Sequence, residues 1–367
     1  MEFIKKNKNL LLVAIVIVVA LIFLINPNKK SRNKDRKIVT KNEAKLKIRK
    51  SEVSTLTLED YESSVFTMKK PKGWTVSGAG VGMYYAIKVT DPNNTNNSIF
   101  LMLKIQPLLK SEASKNFWKD YSNLSKGQYK LFADAVVLDN PTVQGFYEKF
   151  GDIANYIKNA ESTLSSFDFP TYSNFTKIEE QEGNASMKSV ALDSKVLRGT
   201  FTGSNNKKGE GLFLASIVNF GDNYINGIDT LYYMVYDIMA ITADENEFVN
   251  YKDLLLNSIN SISFTDSYVK QTIDDGNAQT KKALELSASI QRAFDSYMSA
   301  WENRNKTYDI MSQKQSDATL GYERVYDTET NEIYKAYNGF NDDYDGQRYK
   351  SVTDEMYTQK TSGYIDK

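Results

Sequence analysis

The chain has 367 residues, 41% hydrophobic and 12% aromatic, with 46 Lys and Arg against 46 Asp and Glu, and with no His and no Cys. Those two absences exclude a Ser-His-Asp triad, His-assisted acid–base work, thiol catalysis, disulfides, and zinc-thiolate or iron–sulfur sites. The neutral balance hides an asymmetry: residues 1–50 carry 14 basic and 3 acidic side chains, and residues 51–367 carry 32 and 43. An acidic body lacks the positive footprint that nucleic-acid binding requires, so no nucleic-acid partner is expected.

A short basic tail, residues 1–9, precedes the unbroken apolar run Leu10–Ile25. As a helix that run spans about 24 Å, against a bilayer core of roughly 30 Å. Lys8, Lys29 and Lys30 can extend its reach by snorkelling. Ile25-Asn26-Pro27-Asn28-Lys29 offers no small-x-small cleavage site. Residues 10–26 are therefore expected to be an uncleaved single-pass transmembrane anchor in the lipid bilayer. The flanking charges, read by the positive-inside rule, place the body in the cytoplasm. The Lys-rich start of a signal anchor and the missing cysteines point the other way. An extracytoplasmic body at the cell surface is the expectation adopted. Residues 27–54 read as a basic juxtamembrane linker. Within it, Lys29, Lys30, Arg32, Lys34, Arg36 and Lys37 read as a solvated spacer or, more sharply, as a contact with anionic lipid or wall polymer.

Residues 55–266 read as one α+β domain with an insertion at about 106–190. Val65-Phe66-Thr67-Met68 is β-like, and Lys69 to Trp74 turns the chain into Trp74-Thr75-Val76. Ser77 to Gly82 reads as a hairpin turn, Met83 to Val89 as the returning strand, and Ile99 to Ile105 as a third. These connections are too short for a crossover helix, so the strands form an antiparallel meander. Gly78-x-Gly80-x-Gly82 is not a dinucleotide fingerprint, because Met83 stands where the third glycine belongs. Lys110 to Ser122 looks helical, and Phe146, Phe150, Ile153, Ile157, Ala160 and Leu164 mark an amphipathic helix. Strands resume at Ala191-Leu192, Val196-Leu197, Gly211 to Phe220 and Thr230 to Ala240. Asp244 and Glu247 resemble a capping box, opening a helix whose Phe248, Tyr251, Leu255, Ile259 and Ile262 share one face.

After the linker Asp274 to Asn277, an amphipathic helix is expected over 277–312, with Leu286, Ile290, Tyr297, Trp301 and Tyr308 on one side. Within 313–340, Tyr322–Tyr326 and Glu332–Ala336 read as a β-hairpin. Residues 341–367 read as a polar, Tyr-rich, loosely ordered tail.

Phe66-x-x-Lys69-x-Pro71-x-Gly73-Trp74, the strand meander, and a closing helix ending Leu255-Leu256-Asn257-Ser258-Ile259-Asn260-Ser261-Ile262-Ser263-Phe264 together resemble the PsbP-like family. The likeness covers about residues 60–105 and 210–264, and this chain departs from it by long extra sequence before Ala191. The resemblance implies a central antiparallel sheet with helices on both faces, here preceded by the N-terminal transmembrane helix and followed by the C-terminal helix and hairpin. It also implies an accessory or binding role and transfers no active residues. Ser287 to Phe340 also resembles C-terminal segments of membrane-anchored proteins of clostridia-like bacteria, with no function implied.

Ser204/Lys207 and Ser267/Lys270 match Ser-x-x-Lys but lack the Lys-Thr-Gly element of penicillin-binding-type sites. Asn341-Asp342-Asp343-Tyr344-Asp345-Gly346 resembles the first half of a calcium loop, making Asp343 and Asp345 metal candidates. Its twelfth position is Val352, and the plain alternative is a solvated acidic turn. No cofactor is expected. The sequence points to a non-enzymatic accessory or binding protein, its protein partner unknown and its C-terminal helix and hairpin the expected partner surface. The alternative is a carboxylate-based hydrolase of cell-wall glycans, for which no acidic pair can be nominated.

Overall fold

The computed structural model describes residues 45–183, 185–245, 247–274 and 306–367. The Leu10–Ile25 run, the basic cluster at 29–37 and most of the expected 277–312 helix lie outside these residues. Among the described residues, no helix is long and apolar enough to cross a membrane.

Lys47–Lys50 forms strand β1, and Glu52–Thr55 a single helical turn, α1. Strands β2 (Leu58–Glu62) and β3 (Phe66–Pro71) pair as a hairpin. Strands β4 (Thr75–Ala79), β5 (Ala86–Asp91) and β6 (Asn94–Leu109) form the antiparallel meander. The first expected strand, β3, is not part of it. Gly73 at φ +82° turns the chain away, and Trp74 drops into the core beside Tyr251, ring centroids 6.2 Å apart.

Helix α2 (Glu112–Leu124) is capped by Ser111, whose hydroxyl accepts from the Ser114 N–H at 3.1 Å. Helix α3 (Lys130–Asp134) follows. The long helix expected through Phe146 is two helices, α4 (Val143–Glu148) and α5 (Phe150–Ala160), broken at Lys149. Strand β7 (Ser173–Glu182) has no counterpart among the elements expected from sequence. Strands β8 (Asp193–Thr202) and β9 (Lys208–Phe220), the small hairpin β10 (Tyr224–Ile225) and β11 (Ile228–Asp229), and β12 (Tyr232–Asp244) come next. Helix α6 (Phe248–Asn260) has no side-chain cap. The expected capping box is absent because Asp244 ends β12 and accepts from Asn94 Nδ2 at 2.7 Å and Asn96 Nδ2 at 2.8 Å. Strand β13 (Ser263–Phe264) pairs with β3, and α7 (Asp266–Asp274) follows.

The main sheet has the order β4-β5-β6-β12-β9-β8-β7 and is antiparallel throughout. Its central strands are apolar on both faces. Leu101, Leu103, Leu214 and Ile241 pack under Phe248, Tyr251, Leu255 and Ile259 of α6. Phe100, Met102, Phe213 and Ala240 pack under Phe146, Tyr147, Phe150 and Ile153 of α4 and α5. The fold class is thus α+β, with several antiparallel sheets.

The C-terminal part comprises α8 (Lys306–Thr319), β14 (Tyr322–Asp327), β15 (Ile333–Tyr337), α9 (Phe340–Asp343), β16 (Tyr349–Ser351) and β17 (Gly363–Asp366). The β14–β15 hairpin forms as expected. The 341–367 segment is not a loose tail. Tyr344 and Tyr349 pack on Phe340 at 5.0 and 6.0 Å, and β17 joins β15. Nor are residues 47–50 plain linker, because β1 pairs antiparallel with β17, Lys47 opposite Asp366. The second sheet therefore has the order β1-β17-β15-β14-β16.

Candidate functional site: an aromatic cavity around Lys104

A cavity of about 680 Å³ opens at one end of the main sheet. Its walls come from the turn between β4 and β5, from β6, β12 and the end of β9, and from α7. The turn depends on Gly80, at φ +104°, where a Cβ would collide with the Tyr84 carbonyl. Tyr84 and Tyr85 thereby become wall residues. Tyr268 of α7 donates its hydroxyl to the Gly82 carbonyl at 2.6 Å and ties the helix to the turn.

Lys104 of β6 stands opposite Tyr236 of β12 in the register. A bulge sets the aim of Tyr236: Asp237, at φ +54°, and Ile238 together face the single residue Ala215 between the β9-paired Tyr236 and Met239. Both flanking side chains consequently face the α6 core. Asp237 is buried, accepting from Ser186 at 2.7 Å, Ser216 at 3.0 Å and the Met187 N–H at 3.3 Å. Burial pushes its carboxyl above the ordinary range, against those hydrogen bonds.

The Lys104 ammonium lies 5.1 Å from the centroid of the Tyr84 ring. No carboxylate of the described residues pairs with it, and burial lowers its pKa. Burial pushes Tyr236 up to about 12 and also raises Tyr84 and Tyr232, so the phenols remain neutral hydrogen-bonding groups. From the cavity, rings continue outward. Phe220 stacks on Tyr232 at 4.8 Å, Tyr232 meets Phe132 at 5.5 Å, and Phe132 stacks on Trp118 at 4.7 Å. The exposed Tyr121 lies 6.0 Å beyond Trp118.

A second cavity, about 430 Å³, lies beside β1 and α1 and contains Asp91, Asp244 and Glu247. These carboxylates hold the chain together. Asp91 accepts from the Asn93 N–H at 2.9 Å and Asn97 Nδ2 at 3.0 Å. Glu247 accepts from the Tyr364 hydroxyl at 2.6 Å and Asn250 Nδ2 at 2.5 Å.

The site residues expected from the sequence lie away from both cavities or outside the described residues. Asp343 ends the short helix α9, accepts from the Tyr337 hydroxyl at 3.2 Å and lies 3.6 Å from Lys367 Nζ. Among the described residues, no group of three or more acidic side chains is placed to hold a metal, so Asp343 and Asp345 are not drawn into a ligand cage. Lys29, Lys30, Arg32, Lys34, Arg36 and Lys37 lie outside the described residues. Lys104 is a site residue that the motifs do not point to. Its one signal in the sequence is a lone charge inside the apolar strand Ile99–Ile105.

Among solved structures, the chain is similar to the solution structure of cyanobacterial PsbP from Synechocystis sp. PCC 6803. Identity is 11% and the TM-score 0.21, over 57% of this chain and 93% of that one. This is a distant fold-level resemblance and defines neither family nor activity. No family model matches the sequence, and no curated protein matches it.

Proposed function

We propose that the chain is a non-enzymatic binding module, tethered to the membrane through residues 10–26, with its body at the cell surface and its ligand taken up in the aromatic cavity. The observation that supports binding is the cavity itself. Its volume lies in the small-molecule range of roughly 300–1,000 Å³, and its lining is rich in aromatic rings that carry phenol groups, with an ammonium and two amides beside them. No acidic side chain of the described residues lines it, whereas glycoside hydrolysis needs two facing carboxyls. The basic cluster at 29–37 would rest on anionic lipid or wall polymer, and a protein partner remains part of the reading.

Equilibrium dialysis of the purified full chain against ring-bearing small molecules tests the reading. One saturable site is expected, and it should be weakened in Met234→Trp, which narrows the cavity. Absence of any saturable site, or release of reducing ends from cell-wall glycan, would overturn it. Protease treatment of intact cells tests the orientation: a surface body is digested, and a body that survives until lysis rejects that placement.

A further inference from the structure

We infer that the cavity takes an organic monoanion with a flat apolar body, its negative group seated on Lys104. The inference rests on the binding-module reading above.

Among the described residues, Lys104 is the single charged side chain in the cavity lining. A half-buried ammonium without a counter-ion is costly, and an incoming anion would relieve that cost in a low-dielectric site where the pair is stronger than in water. One cation matches one negative charge, so a polyphosphate or other polyanion would bring charges the cavity cannot pair. The rest of the ligand is specified by rings: Tyr84, Tyr232, Tyr236 and Phe220 offer faces for a flat body, and Met234 an adaptable thioether. The amide side chains of Gln106 and Gln271 add hydrogen-bonding groups within the lining. Lysines buried elsewhere along the main sheet already have carboxylates. Lys88 lies 2.6 Å from Asp168, and Lys110 lies 2.7 Å from both Asp222 and Asp229. The lack of a carboxylate for Lys104 among the described residues therefore sets the cavity apart from these sites.

The test is a protection footprint on the full chain in lipid nanodiscs, with acetylation of Lys104 read by peptide mass spectrometry. The probes are 2-naphthoate, its neutral amide 2-naphthamide, and acetate. Naphthoate should protect Lys104 at concentrations at least ten-fold lower than naphthamide, and acetate should not protect it. In equilibrium dialysis, Lys104→Met should weaken naphthoate at least ten-fold while leaving naphthamide unchanged, and Lys104→Arg should retain naphthoate. Equal binding of both naphthalene probes, or naphthoate affinity indifferent to Lys104→Met, overturns the anion assignment and leaves the cavity a binding site. No saturable binding of either probe overturns the cavity reading as well.

Discussion

Around α8, the buried cations are locked to carboxylates; in the aromatic cavity, the described residues give Lys104 only rings. Arg198 of β8 bridges Glu210 of β9, at 2.5 Å, and Asp309 of α8. Arg324 of β14 donates to Asp317 at 2.6 Å and to the Tyr357 carbonyl at 2.8 Å, and it also reaches Gln313. Lys335 Nζ lies 3.3 Å from the same Asp317 carboxylate. Asp309, Gln313 and Asp317 recur every four residues, so α8 buries a polar stripe where a core helix would bury an apolar one. The desolvation of such pairs is offset only by close geometry with every partner present. At α8 the partners belong to the chain, and the network fixes how the helix seats against both sheets. At Lys104 no described residue supplies such a partner, which is what the proposed anion site requires.

The largest test of this contrast removes an internal partner. Asp317→Ala removes the carboxylate that buried Arg324 and Lys335 share and should cost about 3–5 kcal/mol, measured as a lowered urea midpoint at constant slope. Gly80→Ala attacks the cavity wall instead. It forces a side chain into a positive-φ turn against the Tyr84 carbonyl and should cost about 1–3 kcal/mol, with naphthoate binding lost alongside.

Acid should separate the regions by the sign of their shifts. Burial opposes it, yet Arg348 and the Glu329 N–H hold Asp327 below the usual carboxylate range. Lys50 and the Tyr334 hydroxyl do the same for Glu332. Carboxyls lowered in the fold stabilise it above their unfolded pKa, and that contribution is lost as pH falls through the folded value. Burial raises Glu210 and Asp309, against the pull of Arg198, so protonating them on the way down favours the fold. Below about pH 4, amide exchange should therefore rise in β14 and β15 before β9, the strand that carries Glu210.

The smallest effect is the most diagnostic. Lys104→Met should change stability by less than about 1 kcal/mol, since no ion pair is lost; a drop of more than about 2 kcal/mol would make Lys104 a structural residue and erase the contrast. Naphthoate affinity should fall as pH rises, and do so below the ordinary lysine pKa, because burial has already lowered that of Lys104. An affinity that holds level through the alkaline range would count against the ammonium as its partner.

What is legible in the sequence is local. The meander from Thr75 to Leu109, the apolar face of α6 and the β14–β15 hairpin each write their period into consecutive residues. What escapes is non-local. Nothing near Phe66 says that its strand joins β2 and β13 instead of the meander, and nothing near Lys47 points to Asp366. Strand β7 is hidden because its Ile178-Glu179-Glu180-Gln181-Glu182 run reads as solvated chain, as befits a sheet edge. The C-terminal tyrosines look exposed because the small core they build draws on Val325, Tyr334 and Ile365, which their own neighbours in the sequence do not announce. Lys104 is visible as an anomaly, but its meaning depends on which face of β6 it takes, and that is set by pairing with β12.

The pairing of β1 with β17 also has a consequence for synthesis. Lys47–Lys50 can find its partner only after Asp366 has been made, a wait on the order of tens of seconds at ribosomal speeds of about 5–20 residues per second. During that interval β1 is an orphan strand, and its sequence, Lys-Ile-Arg-Lys, is one that resists pairing with strangers. The same three charges that give the segment the look of a linker guard the nascent chain until its last strand arrives.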